Sequence, residues 1–506
     1  MENEFKLVPL LILVLFLGVS FVVGVASRTR KGEYYPVSAH AVGRIGIGAA
    51  IASNWMSAAS FLGIAGIFYL KGYFAFAYVI GWTGGYVLLL VLLAGQIRRF
   101  GKYSAPEFVE ARYDSPVARF LSAVITIIIS LIYCVAQYKG IGLIFAWIFG
   151  IDYTGALLLG VGVIFAYLAI SGSLGATRNQ QLHYAVLLLT FLIPLMALSA
   201  KLGYGRFLPQ IGYGAALSEV NRLSGVEMAA PWASATPYEW IALCFTLMVG
   251  TAGLPHVLSR FYTLPNIRVA RWSVVWGIFF VGLLYWSAPA FATFAKLLQL
   301  RGEMPIDAAA AHQIADVIVI KAAEWGGLSS WLVGMLAVGG IMAAFGTITS
   351  MLIGGAGAFS HDIYYRILNP EASERQRMKV AKGATLVLAI LVVLAAVNPP
   401  GLIAEITAVA FALAGNTLFP IFLLGIWWDR TNKYGAIAGM TLGIAITFAA
   451  LVFGSICPVL HTWLPPTSSA LIGAPLVIIV MIVVSLLTPP PPDAIRRHLV
   501  EKVHSP

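Results

Sequence analysis

The stretch Gly250–Phe261 reads GTAGLPHVLSRF and begins about 12 residues into a strongly apolar run that starts near Tyr238. Proline removes a backbone hydrogen-bond donor and clashes with the preceding turn, and glycine tolerates the irregular dihedral angles that result. In lipid, each backbone group freed by such a break would cost several kcal/mol without a partner. The pattern therefore predicts an interrupted helix beside a cavity, water or a bound ion, with a simple kink as the alternative.

The composition of the chain places this stretch in a polytopic membrane protein. The 506 residues are 60% hydrophobic and 10% charged, with a mean hydropathy of +0.88, whereas soluble domains average about 25% charged residues. A spanning helix needs about 20 apolar residues. That rule predicts an all-α membrane fold with about thirteen transmembrane helices, at 7–26, 45–70, 74–97, 120–149, 155–171, 182–202, 238–258, 274–297, 328–359, 380–397, 403–427, 434–456 and 470–487.

The basic residues follow the positive-inside rule. With the N-terminus outside and the C-terminus in the cytoplasm, the predicted inner segments carry 23 lysines and arginines and the outer segments carry 8. This distribution predicts a multi-pass protein of the inner or plasma membrane, and it accounts for the net charge of +11 without a nucleic-acid partner. The first apolar run lacks the basic start of a signal peptide, so we expect it to remain as a helix, with RTRK at 28–31 stopping transfer behind it.

An internal symmetry supports the predicted break. Residues Ser53–Gly66 read SNWMSAASFLGIAG and, like Gly250–His256, are crowded with small residues in the middle of a long apolar segment. The two runs lie five spans apart in segments of opposite predicted orientation, which is the sequence sign of an inverted repeat. The chain is therefore predicted to contain an N-terminal helix and loop (1–44), repeat one (45–202), an outer loop (203–237), repeat two (238–430), two C-terminal helices (431–488) and a tail (489–506).

Three stretches resemble one family of transporters. SAASFLGIAG (Ser57–Gly66), GTAGLPHVLSRFYT (Gly250–Thr263) and GAFSHDIY (Gly357–Tyr364) are similar to sequences of the solute:sodium symporter family, and most similar to its acetate permease and monocarboxylate branch. The resemblance extends over nearly the whole chain. It implies the five-plus-five inverted repeat of the leucine-transporter-like fold, sodium as the co-transported ion and a small monocarboxylate as the solute.

The resemblance also implies a sodium site between the second and ninth spans, formed by the backbone carbonyls of Ser53, Met56 and Ala343 and the hydroxyl of Thr347. Positions 343, 347 and 350 share a helical face, and a hydroxyl with exposed carbonyls suits a hard cation without a buried net charge. Gly346 stands where many sodium-coupled members carry a second hydroxyl, which implies weaker sodium binding or coupling to protons. The alternative is that Thr347 and Ser350 only bond to the carbonyl four residues earlier.

Substrate contacts are expected between the two breaks. The candidates come from the second, fourth and seventh spans and are Ser57, Ala58, Ser60, Phe61, Tyr133, Gln137, Gly253, Pro255 and His256. Lys139 joins them, because a lysine within a span is costly and usually functional; we expect it to hold a carboxylate or to extend towards the interface. His256 is expected either to relay a proton or to bond the carbonyls that Pro255 frees.

These features predict a sodium-coupled symporter for acetate, propionate, lactate or pyruvate that works by alternating access. The alternatives are a symporter of the same fold for proline, another amino acid or urea, driven by sodium or protons. A membrane enzyme is disfavoured because no HExxH motif or pair of acids occurs within the spans. A sensor is disfavoured because the tail is short, and a channel is disfavoured because no stretch resembles a selectivity filter. The three cysteines are too scattered for a metal site or a disulfide framework. Apart from the solute, sodium and the lipid bilayer, no partner is implied, and in particular no partner protein.

Two acidic residues at span ends complete the predictions. Asp362 lies at the inner end of the ninth span, and we expect it to be solvated at a helix end rather than paired with a loop arginine in a gate. Glu405 opens the eleventh span and is expected to be solvated at the outer interface.

Overall fold

The computed structural model describes residues 4–26, 44–100, 104–205, 207–262, 267–304, 306–454, 456–457, 462–499 and 503–504. It describes only the backbone of residues 44–47, 50, 168–179, 181, 259–262, 267–271 and 308–309. The predicted stop-transfer stretch 28–31 lies outside the described residues. Every regular element in the described ranges is helical, which confirms the all-α prediction.

The α-helices of the first half, numbered in chain order, are α1 (Leu7–Ala26), α2 (Arg44–Trp55), α3 (Ile64–Lys71), α4 (Phe76–Leu88), α5 (Ala94–Phe100), α6 (Ala105–Tyr113), α7 (Pro116–Phe149), α8 (Tyr153–Lys201), α9 (Pro209–Ser224), α10 (Pro237–Gly253) and α11 (Pro255–Tyr262). Those of the second half are α12 (Ile267–Leu300), α13 (Ala308–Ile314), α14 (Ile318–Trp325), α15 (Ser330–Gly357), α16 (Glu374–Ala396), α17 (Ile403–Asn416), α18 (Leu418–Trp427), α19 (Lys433–Phe453), α20 (Ala470–Leu487) and α21 (Asp493–His498). Three π-helical segments join or extend them, at Ala59–Gly63, Leu89–Leu93 and Ala358–Leu368, with two 3-10 turns at Gly72–Ala75 and Ala315–Val317.

Ten helical runs of the described chain are long and apolar enough to cross a membrane. One of them, Ala59–Phe100, is a hairpin of two spans, because the backbone turns at Gly72, whose φ is +54°. The ring of Trp55, before this run, lies 4.8 Å from the ring of Tyr86 near its far end. The predicted second and third spans are therefore antiparallel neighbours.

The helix α8 contains two spans in one hydrogen-bonded element. Its 49 residues would extend about 74 Å if straight, which is more than twice the thickness of the hydrocarbon core. The rings of Tyr167 and His183 lie 6.1 Å apart, whereas 16 residues of straight helix would separate them by roughly 24 Å. The chain therefore reverses between these residues, and α8 supplies the predicted fifth and sixth spans. With the broken pair α10–α11 counted as one crossing, the described chain makes thirteen.

The charged residues separate into the two predicted faces. On the predicted outer face, Lys6 pairs with Glu324, and Arg301 pairs with Glu219. On the predicted inner face, Arg496 near the end of the chain pairs with Asp429. The thirteen crossings, an odd number, place the two ends of the described chain on opposite faces. The assignment of the first face to the outside stays a prediction from charge, as do the boundaries of the two repeats.

Local sequence explains where several helices begin. Thr236 and Glu239 form a capping box at the start of α10, where the Thr236 hydroxyl accepts from the Glu239 amide and the Glu239 carboxylate accepts from the Thr236 amide. Pro237 occupies the first helical position, where its missing amide hydrogen is not needed. These signals fix the start of the first half of the broken seventh span, so that its end falls at the GLP sequence.

Candidate functional site

The second span is interrupted where the sequence predicted a break. The helix α2 ends at Trp55, Met56 and Ser57 are not helical, and the π-helical segment Ala59–Gly63 follows. The amide of Ala58 does not bond within the helix and donates instead to Oε1 of Gln137 on α7, at 2.8 Å. A side chain of the fourth span therefore satisfies a backbone group that the break exposes.

The seventh span is interrupted as well. The helix α10 ends at Gly253, Leu254 takes an extended conformation with φ −69° and ψ 123°, and α11 begins at Pro255. A Cβ atom at Gly253 would lie 2.7 Å from the carbonyl oxygen of Ala414, so glycine is required by the close approach of α17. Both breaks in the stretches Ser53–Gly66 and Gly250–Phe261 are thus confirmed, and the simple-kink alternative is not.

Tyr133 brings the two breaks together. Its hydroxyl lies beside that of Ser57 at the first break, and its ring meets the imidazole of His256 just after the second, with 5.6 Å between centroids. The predicted substrate residues Ser57, Ala58, Ser60, Tyr133, Gln137 and His256 therefore surround one buried region, with Gly253 and Pro255 at its edge. Phe61 does not face it: its ring packs edge-on against Phe191 of α8, at 4.8 Å.

Two of the predicted sodium residues, Ser53 and Gly346, meet where α2 contacts α15. A Cβ atom at Gly346 would lie 3.3 Å from the carbonyl oxygen of Ser53, so the two helices touch through these positions. Thr347 is fully buried, and its hydroxyl donates to the carbonyl of Ala343 at 3.3 Å. Ser350 donates to the carbonyl of Gly346 at 3.0 Å. The alternative that Thr347 and Ser350 bond to the carbonyl four residues earlier is therefore observed. These bonds occur at the same positions where α15 contacts α2.

The oxygen atoms at this junction are carbonyls and hydroxyls. Among the described residues, no group of three His, Cys, Asp or Glu side chains is placed to hold a metal ion. Such a set suits a weakly bound alkali cation that is carried rather than retained, because uncharged oxygens provide ligands without a fixed negative charge.

Sequence reasoning missed Tyr285, which bridges the first break. Its hydroxyl accepts from Nε1 of Trp55 at 3.0 Å and shares a hydrogen bond with the hydroxyl of Ser60 at 2.8 Å. Trp55 precedes the break and Ser60 follows it, so one atom of α12 ties the two halves of the second span. The ring of Trp82 stacks on Tyr285 with 5.8 Å between centroids. No local signal marks Tyr285, because its partners lie 230 and 225 residues away.

A third break, also missed, lies in the eleventh span. Thr417 separates α17 from α18 with φ −119° and ψ −74°. The side chain of Asn416 donates to the hydroxyls of Thr447 and Ser469 at 2.9 and 3.0 Å, which anchors the break to the two C-terminal spans. The sequence AGNTLFP holds Gly415 and Pro420 close together, and this was the signal available for it.

Lys139 holds a carboxylate, but one that belongs to the protein. Its ammonium lies 2.5 Å from Oδ2 of Asp316 and donates to the carbonyl of Gly401 at 2.8 Å. Asp316 also accepts from the amide of Ile403, the first residue of α17, at 3.1 and 3.2 Å. Burial raises the pKa of the Asp316 carboxyl, and the Lys139 charge opposes that shift. Lys139 therefore joins α7, the 3-10 turn at 315–317 and the start of α17.

Two predictions about acidic residues were wrong. Asp362 is buried, 2% exposed, and its carboxylate lies 2.6 Å from the guanidinium of Arg119, which is itself fully buried. Arg119 also contacts Glu110, so the pair links helix α6, the start of α7 and the π-helical end of the ninth span. Glu405 is only partly exposed and pairs with Lys71 at 3.4 Å. Solvation was the wrong expectation because both acids face cations from segments distant in sequence.

A membrane-embedded helical bundle whose broken helices meet at a buried polar region is the architecture of many secondary transporters. Comparison with known sequences identifies which kind: the profile of the sodium:solute symporter family matches residues 34–443, well over half of the chain. The chain belongs to the sodium:solute symporter family, which confirms the resemblance found in the sequence.

Curated relatives agree with this assignment. An uncharacterised symporter of Cupriavidus necator is 28% identical over 561 aligned positions, which cover 84% of this chain and 82% of that protein. An uncharacterised symporter of Bacillus subtilis is 33% identical over 460 positions, covering 89% of this chain and 86% of that protein. Both are symporters, and neither name gives a solute.

The fold has a counterpart among solved structures. A Na+-coupled sialic acid symporter, solved in a substrate-bound outward-open state, superposes with a TM-score of 0.75 over 96% of this chain and 99% of that chain, at 17% sequence identity. At that identity the likeness shows the fold alone, and the fold is the leucine-transporter-like one that the sequence predicted.

Proposed function

We propose that this protein couples sodium influx to the uptake of a small monocarboxylate, such as acetate, propionate, lactate or pyruvate, by alternating access. It would lie in the inner or plasma membrane with the N-terminus outside and the C-terminus in the cytoplasm, as the distribution of basic residues favours. Family membership supports the symport of a solute with sodium. The class of solute is inferred from the resemblance to the monocarboxylate branch and from the hydrogen-bond donors beside the first break.

Unused hydrogen-bond donors support an anionic solute. Nε2 of Gln137 and Nε1 of Trp82 are buried and have no hydrogen-bond partner among the described residues. The ring of Phe411 lies between them, 5.7 Å from that of Trp82 and 5.9 Å from that of Tyr133, one turn before Gln137. A buried donor without an acceptor costs about 1–3 kcal/mol. Gln137 bonds Ala58 and Trp82 lies against Trp55, so both donors are beside the first break, and they favour a ligand with acceptor oxygens, such as a carboxylate.

The walls of this region favour a small solute. Trp55, Trp82, Phe411 and Tyr133 pack ring against ring around the break. Aromatic walls with a few fixed polar groups are typical of small-molecule sites. They would contact the short alkyl part of an acid while the donors bind its carboxylate.

Sodium is proposed to bind between α2 and α15, at the carbonyls of Ser53, Met56 and Ala343 and the hydroxyl of Thr347. The ion would hold the two helices together in the outward-facing state, and its release inwards would loosen them and free the solute. Gly346 leaves one oxygen fewer at this junction than many members of the family have. Proton coupling is therefore the second candidate for the driving force.

The test is uptake of labelled acetate into proteoliposomes, under an inward sodium gradient, an inward proton gradient or neither. Faster uptake with the sodium gradient is expected, and equal rates in all three conditions would refute the coupling. The Gln137→Ala variant should lose uptake, because it removes both the Ala58 contact and the free donor. Gln210→Ala is the matched control, since Gln210 is a buried glutamine of α9 whose side chain donates to Ser287. Competition by proline, other amino acids and urea separates the alternative solutes.

A further inference from the structure

A second cavity lies on the predicted outer face, away from the site between the breaks. Its volume is about 150 Å³, and three elements enclose it: the hairpin turn between α3 and α4, one face of α9, and the last turns of α12. Phe68, Phe76, Tyr213 and Met228 supply apolar walls, and Lys296 supplies the one charged side chain that lines it.

The cavity is a built feature of the fold. Gly72, in the hairpin turn, has φ +54°, and a Cβ atom there would collide with the carbonyl of Met228. The amide of Tyr73 donates to that same carbonyl at 3.0 Å, and the amide of Met228 donates to Oδ1 of Asn221 at the end of α9. These bonds fix the loop after α9 against the hairpin and close one side of the cavity.

Among the lysines on the predicted outer face, Lys296 and Lys201 have no carboxylate partner in the described chain, and Lys201 is exposed and bonds the carbonyl of Gly327. Lys6, Lys71, Lys139 and Lys321 each pair with a carboxylate. The half-buried ammonium of Lys296 has no ion-pair partner among the described residues.

Neutral groups hold the Lys296 ammonium in place. It donates to Oε1 of Gln299 at 3.1 Å and lies 5.0 Å from the ring of Tyr69. The same Oε1 accepts from the Tyr69 hydroxyl at 2.8 Å, so the position of the ammonium is defined. A partly desolvated charge without a counter-ion is unfavourable, and an anion in the cavity would offset that cost.

We propose that this cavity is a second anion site, which binds the carboxylate of a short-chain acid on Lys296 and its alkyl chain against the aromatic walls. The choice of a monocarboxylate rests on the proposed function. Tyr285 lies 11 residues before Lys296 on α12, about 16 Å along a helix, so an acid held here is above the region between the breaks. The cavity would collect the acid from the outer solution before it enters the transport site.

Cysteine protection tests the proposal without measuring transport. Thr293 lines the cavity, and Thr293→Cys is introduced together with Cys457→Ser, since the other two cysteines are buried. Propionate should slow alkylation of Cys at this position several-fold in nanodiscs of zwitterionic lipid, and neutral propionamide should not. Adding Lys296→Gln should abolish the protection, whereas Lys296→Arg should retain it. Folding of each variant is checked by size-exclusion chromatography.

Three results would overturn the proposal. The first is equal protection by propionamide, or protection that persists in Lys296→Gln, since either shows that the carboxylate does not bind the ammonium. The second is protection that requires sodium and disappears in Gln137→Ala, since it would then report closure of the transport site. The third is slow labelling caused by phosphatidylglycerol alone, which would make a lipid phosphate the occupant. If protection appears without sodium-driven uptake of acetate, the cavity site stands and the proposed transport function fails.

Discussion

Replacement of Tyr285 by phenylalanine tests whether the break in the second span is held from outside that span. The change removes one oxygen atom and leaves the ring stacked on Trp82. Trp55 then has a buried indole N–H without an acceptor, which costs about 1–3 kcal/mol. The hydroxyl of Ser60 loses the same partner, so the cost falls on Trp55, on Ser60 and on the position of the Met56 carbonyl between them.

The expected effect on sodium binding follows from the displaced Met56 carbonyl, which is one of the proposed sodium ligands. If about 1.4 kcal/mol of the cost falls on the sodium-bound state, the sodium concentration for half-maximal uptake rises tenfold. The assay is acetate uptake into proteoliposomes across a series of sodium concentrations, with thermal unfolding of the purified protein measured in parallel. Tyr153→Phe is the matched control, because it loses a hydroxyl that donates to the Ala396 carbonyl at 2.7 Å, away from the break. The reasoning is refuted if both variants lower thermal stability equally and neither changes the sodium dependence.

Two further pairs of substitutions test the site and its surroundings. Gly346→Ser is expected to lower the half-saturating sodium concentration several-fold, because the serine hydroxyl would lie near the Ser53 carbonyl. Gly346→Ala is the control, because it adds only the Cβ atom. Equal shifts of the half-saturating concentration in the two variants would contradict the sodium assignment. Lys139→Gln leaves the Asp316 carboxylate buried without a cation and should lower the free energy of unfolding by about 3–5 kcal/mol. Asp316→Asn should lower it less, because the Lys139 side chain that loses its partner is 15% exposed and water can reach its charge. The pKa of the Asp316 carboxyl is higher in the folded protein than its ordinary value, so folding favours the protonated carboxyl. The resulting contribution to the free energy of unfolding is complete below the ordinary pKa, and it is lost as the pH rises through the raised pKa. Asp316→Asn should therefore gain thermal stability relative to the unaltered protein as the pH rises across this interval, and a difference independent of pH would count against the buried carboxylate.

The sequence was a sufficient guide to the spans and to two of the three breaks. A spanning helix must satisfy its own backbone and present about 20 apolar residues to lipid, so its existence is written in a local run of the chain. Gly250, Gly253 and Pro255 interrupt such a run, and the interruption is local as well. The third break, at Thr417, was not predicted, because its one nearby proline, Pro420, lies after the break and the other repeat shows no matching run of small residues.

The sequence did not predict which charges meet. Asp362 was expected in solvent and is buried against Arg119, 243 residues away. Lys139 was expected to hold a carboxylate or to extend towards the interface, and the carboxylate that it holds is that of Asp316, 177 residues away. A charge at the end of a span has the same local sequence whether it faces water or a buried counter-ion, so the sequence does not identify its partner.

The chain by itself therefore determined the number of crossings, the two matched breaks and the family, because apolar length, glycine and proline act within a single segment. Only the tertiary structure decided that Tyr285 ties the halves of the second span and that Lys296 lines a cavity with no counter-ion among the described residues. These features depend on which helices pack together, and hydrogen bonds between residues more than two hundred positions apart leave no local pattern.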